Sequence, residues 1–151
     1  MDLQRVLPLL LPRAIVWAER QADRVAASGQ ALTDILAGLA RKVGVVRSEL
    51  IRVEIADTLP MPEDPELQTA ATQTGLLGPH MVGLTLGHAV FIRRGREAMR
   101  LFAHEFRHVY QYEQAGSIAA FLPVYLQQIV HAGYLNARFE VDAREHEHID
   151  A

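Results

Sequence analysis

The sequence predicts an α+β domain, mainly helical, with a small sheet or hairpin just ahead of its most informative helix. Three observations carry that expectation. Apolar residues recur every three or four positions in stretches that stop at Gly29, Gly44, Gly75, Gly116 and Gly133. The period changes to two at Leu50-Ile-Arg-Val-Glu-Ile55 and again within MVGLTLGHAVFIRRG, residues 81–95. The chain has 151 residues, 50% of them hydrophobic, which is enough for one real core and so for a single domain over 1–151.

The opening MDLQRVLPLLLP reads as a buried amphipathic segment that Pro8 and Pro12 interrupt. A helix follows over 13–28, with Ala14, Ala18, Ala22 and Val25 at helical spacing and Trp17 as a packing anchor. The next helix, over 32–43, sets Leu32, Ile35, Leu36, Leu39, Ala40 and Val43 on one face. Ile51, Val53 and Ile55 then alternate with Arg52 and Glu54, the pattern of a half-buried strand. Pro60, Pro62 and Pro65 punctuate a loop, and Asp64-Pro65-Glu66 looks like a cap and first turn for a short helix that Gly75 ends. Two β-type runs around Leu86-Gly87 read as a hairpin.

A helix is expected over 97–115, stopped by Gly116, with Ser117 as cap for the next. Residues 118–132 are mostly apolar, but Gln127, Gln128, His131 and Pro123 argue for a core helix, kinked or restarted at the proline, over a membrane span. Asn136 is the expected cap of a last helix through NARFEVDAREHEH.

Charge and composition narrow the function. A formal net charge of -3 and a pI near 6.1 give no general attraction to nucleic acid or to anionic membranes. The opening apolar patch is broken by Arg13 well short of a membrane span, so membrane association is not expected. A surface role for Leu7, Leu9, Leu10 and Leu11 would lack a flanking basic face. The default location is therefore cytoplasmic; nothing fixes an oligomeric state. With no cysteine, His, Asp and Glu are the only strong metal ligands available.

The stretch Ala103-His-Glu-Phe-Arg-His-Val-Tyr-Gln111 lies in the middle of the helix expected over 97–115. Residues four apart share a helical face, so His104 and His108 can each point a ring nitrogen at one zinc ion, at ~2.0 to 2.1 Å. Glu105 is rotated by about 100° from His104 and about 60° from His108, beside such an ion rather than on it. There it can take a proton from a water that the metal acidifies. The alternative is a structural histidine pair. Against it, Leu101, Phe102, Phe106 and Val109 place the polar trio next to a buried surface, where unpaired imidazoles need a partner.

A catalytic zinc needs a third protein ligand, with water completing the set. RFEVDAREHEHID offers Glu140, Asp142, Glu145, His146, Glu147 and His148. HEFRHVYQ, a second helix and then Asn136-Ala-Arg-Phe-Glu140-Val-Asp-Ala143-Arg144 together resemble the gluzincin metallopeptidases, in particular the CAAX prenyl-protease type and the small minigluzincins. The compact bacterial HExxH domains of unassigned function are similar too. The resemblance covers about the last third of the chain and a strand before the motif. It implies a zincin-like fold, zinc as cofactor, and Glu140 as third ligand.

It further implies a peptide or protein substrate lying along an edge strand above the metal, in the place that His88-Ala-Val-Phe-Ile92 occupies; core sheet is the plain alternative. Arg144 departs from the pattern, because an aspartate there usually orients a metal histidine, and arginine accepts no hydrogen bond. Asp142 is a possible substitute, but it sits two residues along the helix from Glu140, on roughly the opposite side.

Tyr134 is a candidate donor to a tetrahedral oxyanion, against a packing role under the final helix. His80, His88 and His131 read as structural histidines, and His146 and His148 as a frayed solvated end. Arg93, Arg94, Arg96 and Arg100 read as a solvated turn. The expected function is zinc-dependent peptide hydrolysis with Glu105 as general base and acid. The alternative is a non-catalytic or latent zinc-stabilised domain that binds a partner.

Overall fold

The computed structural model describes residues 1–148; Ile149, Asp150 and Ala151 lie outside the described residues. In chain order the elements are α1 (Leu3–Ser28), β1 (Gln30–Ala31), α2 (Asp34–Lys42), β2 (Arg52–Ala56), α3 (Pro65–Thr74), β3 (Gly83–Leu86), β4 (Ala89–Arg93), α4 (Met99–Ala115), α5 (Ile118–Ala132) and α6 (Arg138–Glu145). Short 3₁₀ turns follow at Ser48–Leu50 and His146–His148. The chain is α+β and mainly helical, as its periodicities predict.

The four strands form one sheet in the order β1-β2-β4-β3. β2 and β4 run parallel, with Val53 opposite Val90 and Ile55 opposite Ile92, while β3 and β4 form the antiparallel hairpin that turns at Gly87. Gly87 has φ +67°, a conformation that favours glycine. Alternation sorts the side chains onto two faces. Val53, Val90 and Ile92 pack on Phe102, Ala103, Phe106 and Val109 of α4, with α2 alongside. Leu86, Ala89 and Phe91 pack on Ala18 and Val25 of α1 and on Phe121 and Leu122 of α5.

Several expectations are corrected. The opening segment is not separate: α1 starts at Leu3, capped by the Asp2 side chain on the Arg5 N–H, and runs through both prolines. Pro8 and Pro12 lie on the exposed side, where water can serve the carbonyls they leave without a helical donor, while Leu7 and Leu10 are buried opposite. α5 likewise runs through Pro123 as one helix and is not restarted there. Ile35 is 73% exposed, because the two-turn α2 buries only the narrower stripe of Leu39, Ala40 and the adjoining Val43.

The strand His88–Ile92 is not an edge: β4 is sandwiched between β2 and β3, which use its backbone on both sides. The outer strand beside the motif helix is β3. The last helix is capped not by Asn136 but from a neighbour, since Gln128 Oε1 accepts the Phe139 N–H at 3.0 Å. No helix among the described residues is long and apolar enough to cross a membrane.

Candidate metal centre

The middle of α4 is locked between sheet and helices. Ala103, Phe106 and Val109 point into the sheet core, which turns His104, Glu105 and His108 toward β3, α5 and α6. All three polar side chains are buried, as is Glu140 on α6, which is 1% exposed. His104 Nε2 lies 3.1 Å from Glu140 Oε1, and His108 Nε2 lies 2.9 Å from Glu140 Oε2. One donor atom from each of His104, His108 and Glu140 lies within 4.8 Å of the others, an arrangement that can hold a metal ion.

What faces the far side of each ring decides how it can bind. His104 Nδ1 lies 2.9 Å from Glu147 Oε2, and that carboxylate also takes a hydrogen bond from Arg100 at 3.0 Å. His108 Nδ1 lies 2.8 Å from Gln111 Oε1. The Gln111 amide has only one workable orientation, because its nitrogen donates to Phe139 O at 3.0 Å and to Asp142 Oδ2 at 2.8 Å, both acceptors. Both Nδ1 atoms thus face acceptors and carry protons. In the neutral rings this leaves the Nε2 lone pairs for the common point near Glu140.

Electrostatics follow from this crowding. Burial alone would lower the His104 pKa, but Glu140, Glu105 and Glu147 around it raise it to about 9. His108 is raised against the same burial penalty, chiefly by Glu140. Burial would raise Glu140, yet His108 and His104, with the Tyr125 hydroxyl donating at 2.6 Å, hold it below the usual carboxylate range. The two Nε2 atoms and the Glu140 oxygens therefore face one another across the position a cation would take, and among the described residues no buried side-chain nitrogen or oxygen lacks a partner.

Glu105 lies beside the trio. Its Oε2 is 4.0 Å from His104 Nε2, and its Oε1 accepts from the Thr85 hydroxyl of β3 at 2.9 Å. Burial pushes its carboxyl up, against the pull of His104 and His108. A side chain poised nearer neutrality can both take and return a proton. β3 approaches so closely that a Cβ on Gly83 would meet Glu105 Oε2 at 2.8 Å.

Tyr134 is half-buried and lines the same cavity as Glu105, His108 and Glu140. Burial and the hydroxyl's interaction with Glu140 raise it, so it stays a protonated donor. Of the C-terminal candidates, only Glu140 joins the trio. The histidine-rich end is not a loose tail: the 3₁₀ turn packs on α4 and delivers Glu147 to His104, while His146 Nδ1 is held 2.7 Å from Asp142 O. Neither it nor His148 belongs to the trio.

Arg144 bonds the Leu135 carbonyl and takes no part in holding the histidines. Asp142 acts one step removed, through Gln111 and through Arg107 at 2.7 Å. Sequence reasoning missed Gln111, Tyr125 and Thr85, and offered Glu147 only as a candidate metal ligand, not as the partner of His104 Nδ1. Only Gln111 carried a local signal, at three residues from His108 on one helical face.

Among the remaining histidines, His80 and His131 are exposed and His88 pairs with Glu113 at 2.9 Å. Arg94 pairs with exposed Asp57, in keeping with a solvated turn, but Arg93 ends β4 and Arg100 lies on α4, where it bonds Glu147. Comparison with models of protein families, with curated proteins and with solved structures finds no match to this chain.

Proposed function

We propose that this chain is a zinc-dependent hydrolase of the zincin type, cutting peptide bonds. The observation that supports this most is the convergence of two histidine Nε2 atoms on both oxygens of one buried carboxylate, with a second buried carboxylate alongside. His104, His108 and Glu140 would hold the ion. A bound zinc supplies Lewis acidity, polarising a carbonyl and acidifying a water. Glu105, braced by Thr85, takes that proton and returns it to the leaving amine. The Tyr134 hydroxyl, kept protonated by burial, donates to the oxyanion.

A second reading has its own support. The trio satisfies its hydrogen bonds among its own members and neighbours, so a latent or non-catalytic domain is the competing assignment.

Elemental analysis of protein purified at neutral pH, paired with turnover of a quenched peptide library, separates the two. We expect about one zinc per chain, lost in His108→Ala, and a Glu105→Gln variant that keeps zinc but has no turnover. Absence of zinc would remove the metal site. Zinc without any turnover would leave only the non-catalytic reading.

A further inference from the structure

A chamber of about 120 Å³ adjoins the buried carboxylates, and its composition is lopsided. Its walls are Leu7, Leu10 and Trp17 of α1, Leu67 and Ala71 of α3, and Leu122 of α5 among other apolar side chains. Among the described residues, the only ionisable acids and bases facing it, apart from tyrosines, are Glu105, His108 and Glu140, all at one end. Trp17, Leu84, Leu126 and Val130 are each half-buried, so the chamber reaches the surface. Protein interiors pack densely enough that few voids larger than a water survive. An apolar space of this size, ending on a polar cluster, has the make-up of a ligand site.

We infer that this chamber is a subsite for an uncharged apolar group about the size of a benzene ring, carried by the substrate next to the bond that is cut. The size follows from volume, since an engineered apolar cavity of roughly 150 Å³ stays dry and takes benzene. The lack of charge follows from the walls, because an ionised group there would be buried with no counter-charge beyond the site's own residues.

Strand β3 argues for a compact group over a long extended one. Arg93 N donates to Val82 O at 2.8 Å, so by antiparallel alternation the backbone of Gly83 and Thr85 turns to the outer edge. The Thr85 carbonyl there is already taken by the Tyr112 hydroxyl at 3.1 Å, which interrupts any full ladder with a bound peptide. The inference rests on the hydrolytic reading for what happens at the polar end, though not for the binding itself.

Toluene is the probe. Titrated into zinc-free and zinc-loaded protein, it should shift the methyl resonances of Leu122 and Leu126 along one saturable curve, while benzoate should not. Ala71→Phe, which fills the chamber from α3, should weaken toluene binding by about tenfold or more. Should that variant fail to fold, Leu126→Trp at a half-buried wall position serves instead. Absence of saturable shifts, or equal binding in a folded chamber-filling variant, would overturn the inference.

With zinc bound, peptides that differ at one residue beside the cut should favour Leu or Phe over Ala or Asp by about tenfold or more, a preference lost in the filled variant. Toluene binding without cleavage of any peptide would leave the subsite standing and remove the hydrolytic reading. Cleavage indifferent to that residue would remove the subsite and leave hydrolysis.

Discussion

Glu147 Oε2 lies 2.9 Å from His104 Nδ1, on the opposite edge of the ring from Glu140, whose Oε1 is 3.1 Å from Nε2. The imidazole is thus held between two carboxylates, one on α6 and one on the turn that follows it. The inner carboxylate shares the candidate metal position. The outer one fixes the tautomer and the ring plane, with Arg100 balancing its charge.

Removing that outer carboxylate should loosen the site without touching a ligand. We expect Glu147→Ala to weaken zinc binding by about 10- to 100-fold, measured by competition with a chromophoric chelator. Arg100→Ala should have a smaller effect, because the Arg100 side chain is 70% exposed and its charge is screened. Equal affinities for Glu147→Ala and the parent chain would rule out a positioning role.

Gln111 does the same for His108 from within the same helix. Gln111→Met leaves the buried Nδ1–H of His108 without an acceptor and should cost about 10- to 100-fold in zinc affinity. Nitrogen chemical shifts should show the His108 tautomers becoming mixed. Arg144→Asp should leave both readouts unchanged, since Arg144 bonds the Leu135 carbonyl and neither histidine. An affinity gained in Arg144→Asp would contradict this assignment.

Gly83 is kept small by the carboxylate beneath it. A methyl group there would meet Glu105 Oε2 at 2.8 Å and Cδ at 3.0 Å, and Glu105 is buried and tied to Thr85. Gly83→Ala should therefore keep zinc while lowering the turnover of any peptide substrate by roughly 100-fold, the usual scale for a misplacement of about 1 Å. Full turnover in this variant would show that Glu105 can move without consequence.

A pH-dependent contribution to stability is expected away from the site. Glu113 on α4 accepts from Val46 N at 2.8 Å, Arg47 N at 2.9 Å and His88 Nε2 at 2.9 Å. Burial would raise its carboxyl, but these donors hold it below the ordinary value. A folded pKa below the unfolded one adds stability above the usual carboxylate range and loses it as pH falls through the folded value. Glu113→Ala should cost about 1.5 to 3 kcal/mol at neutral pH, and urea titrations should show the gap closing from about pH 5 downward. A gap that widens in acid would refute the sign.

Much of this was legible along the chain. The Asp64-Pro65 start and Gly75 stop of α3, the hairpin at Gly87 and the Ser117 cap of α5 are local chemistry, and each appears where the residues imply. The alignment of His104 with His108 and the lateral offset of Glu105 are likewise properties of one helix. The errors share a cause. Pro8 and Pro12 suggest breaks in α1 because a missing N–H is visible in sequence, whereas the burial of Leu7 and Leu10 that outweighs it is not.

What the sequence determined by itself was most of the helices and strands, though neither the two-residue β1 nor the full length of α1, and the pairing of two imidazoles on one face, because hydrogen-bond period and i,i+4 spacing act over a few residues. Tertiary structure decided which strand lies at the edge, which carboxylate meets each ring edge and where the apolar chamber opens. Glu140 and Glu147 reach His104 across 36 and 43 residues of chain. Contacts at that separation depend on how α4, α5 and α6 pack as bodies, which no local period encodes.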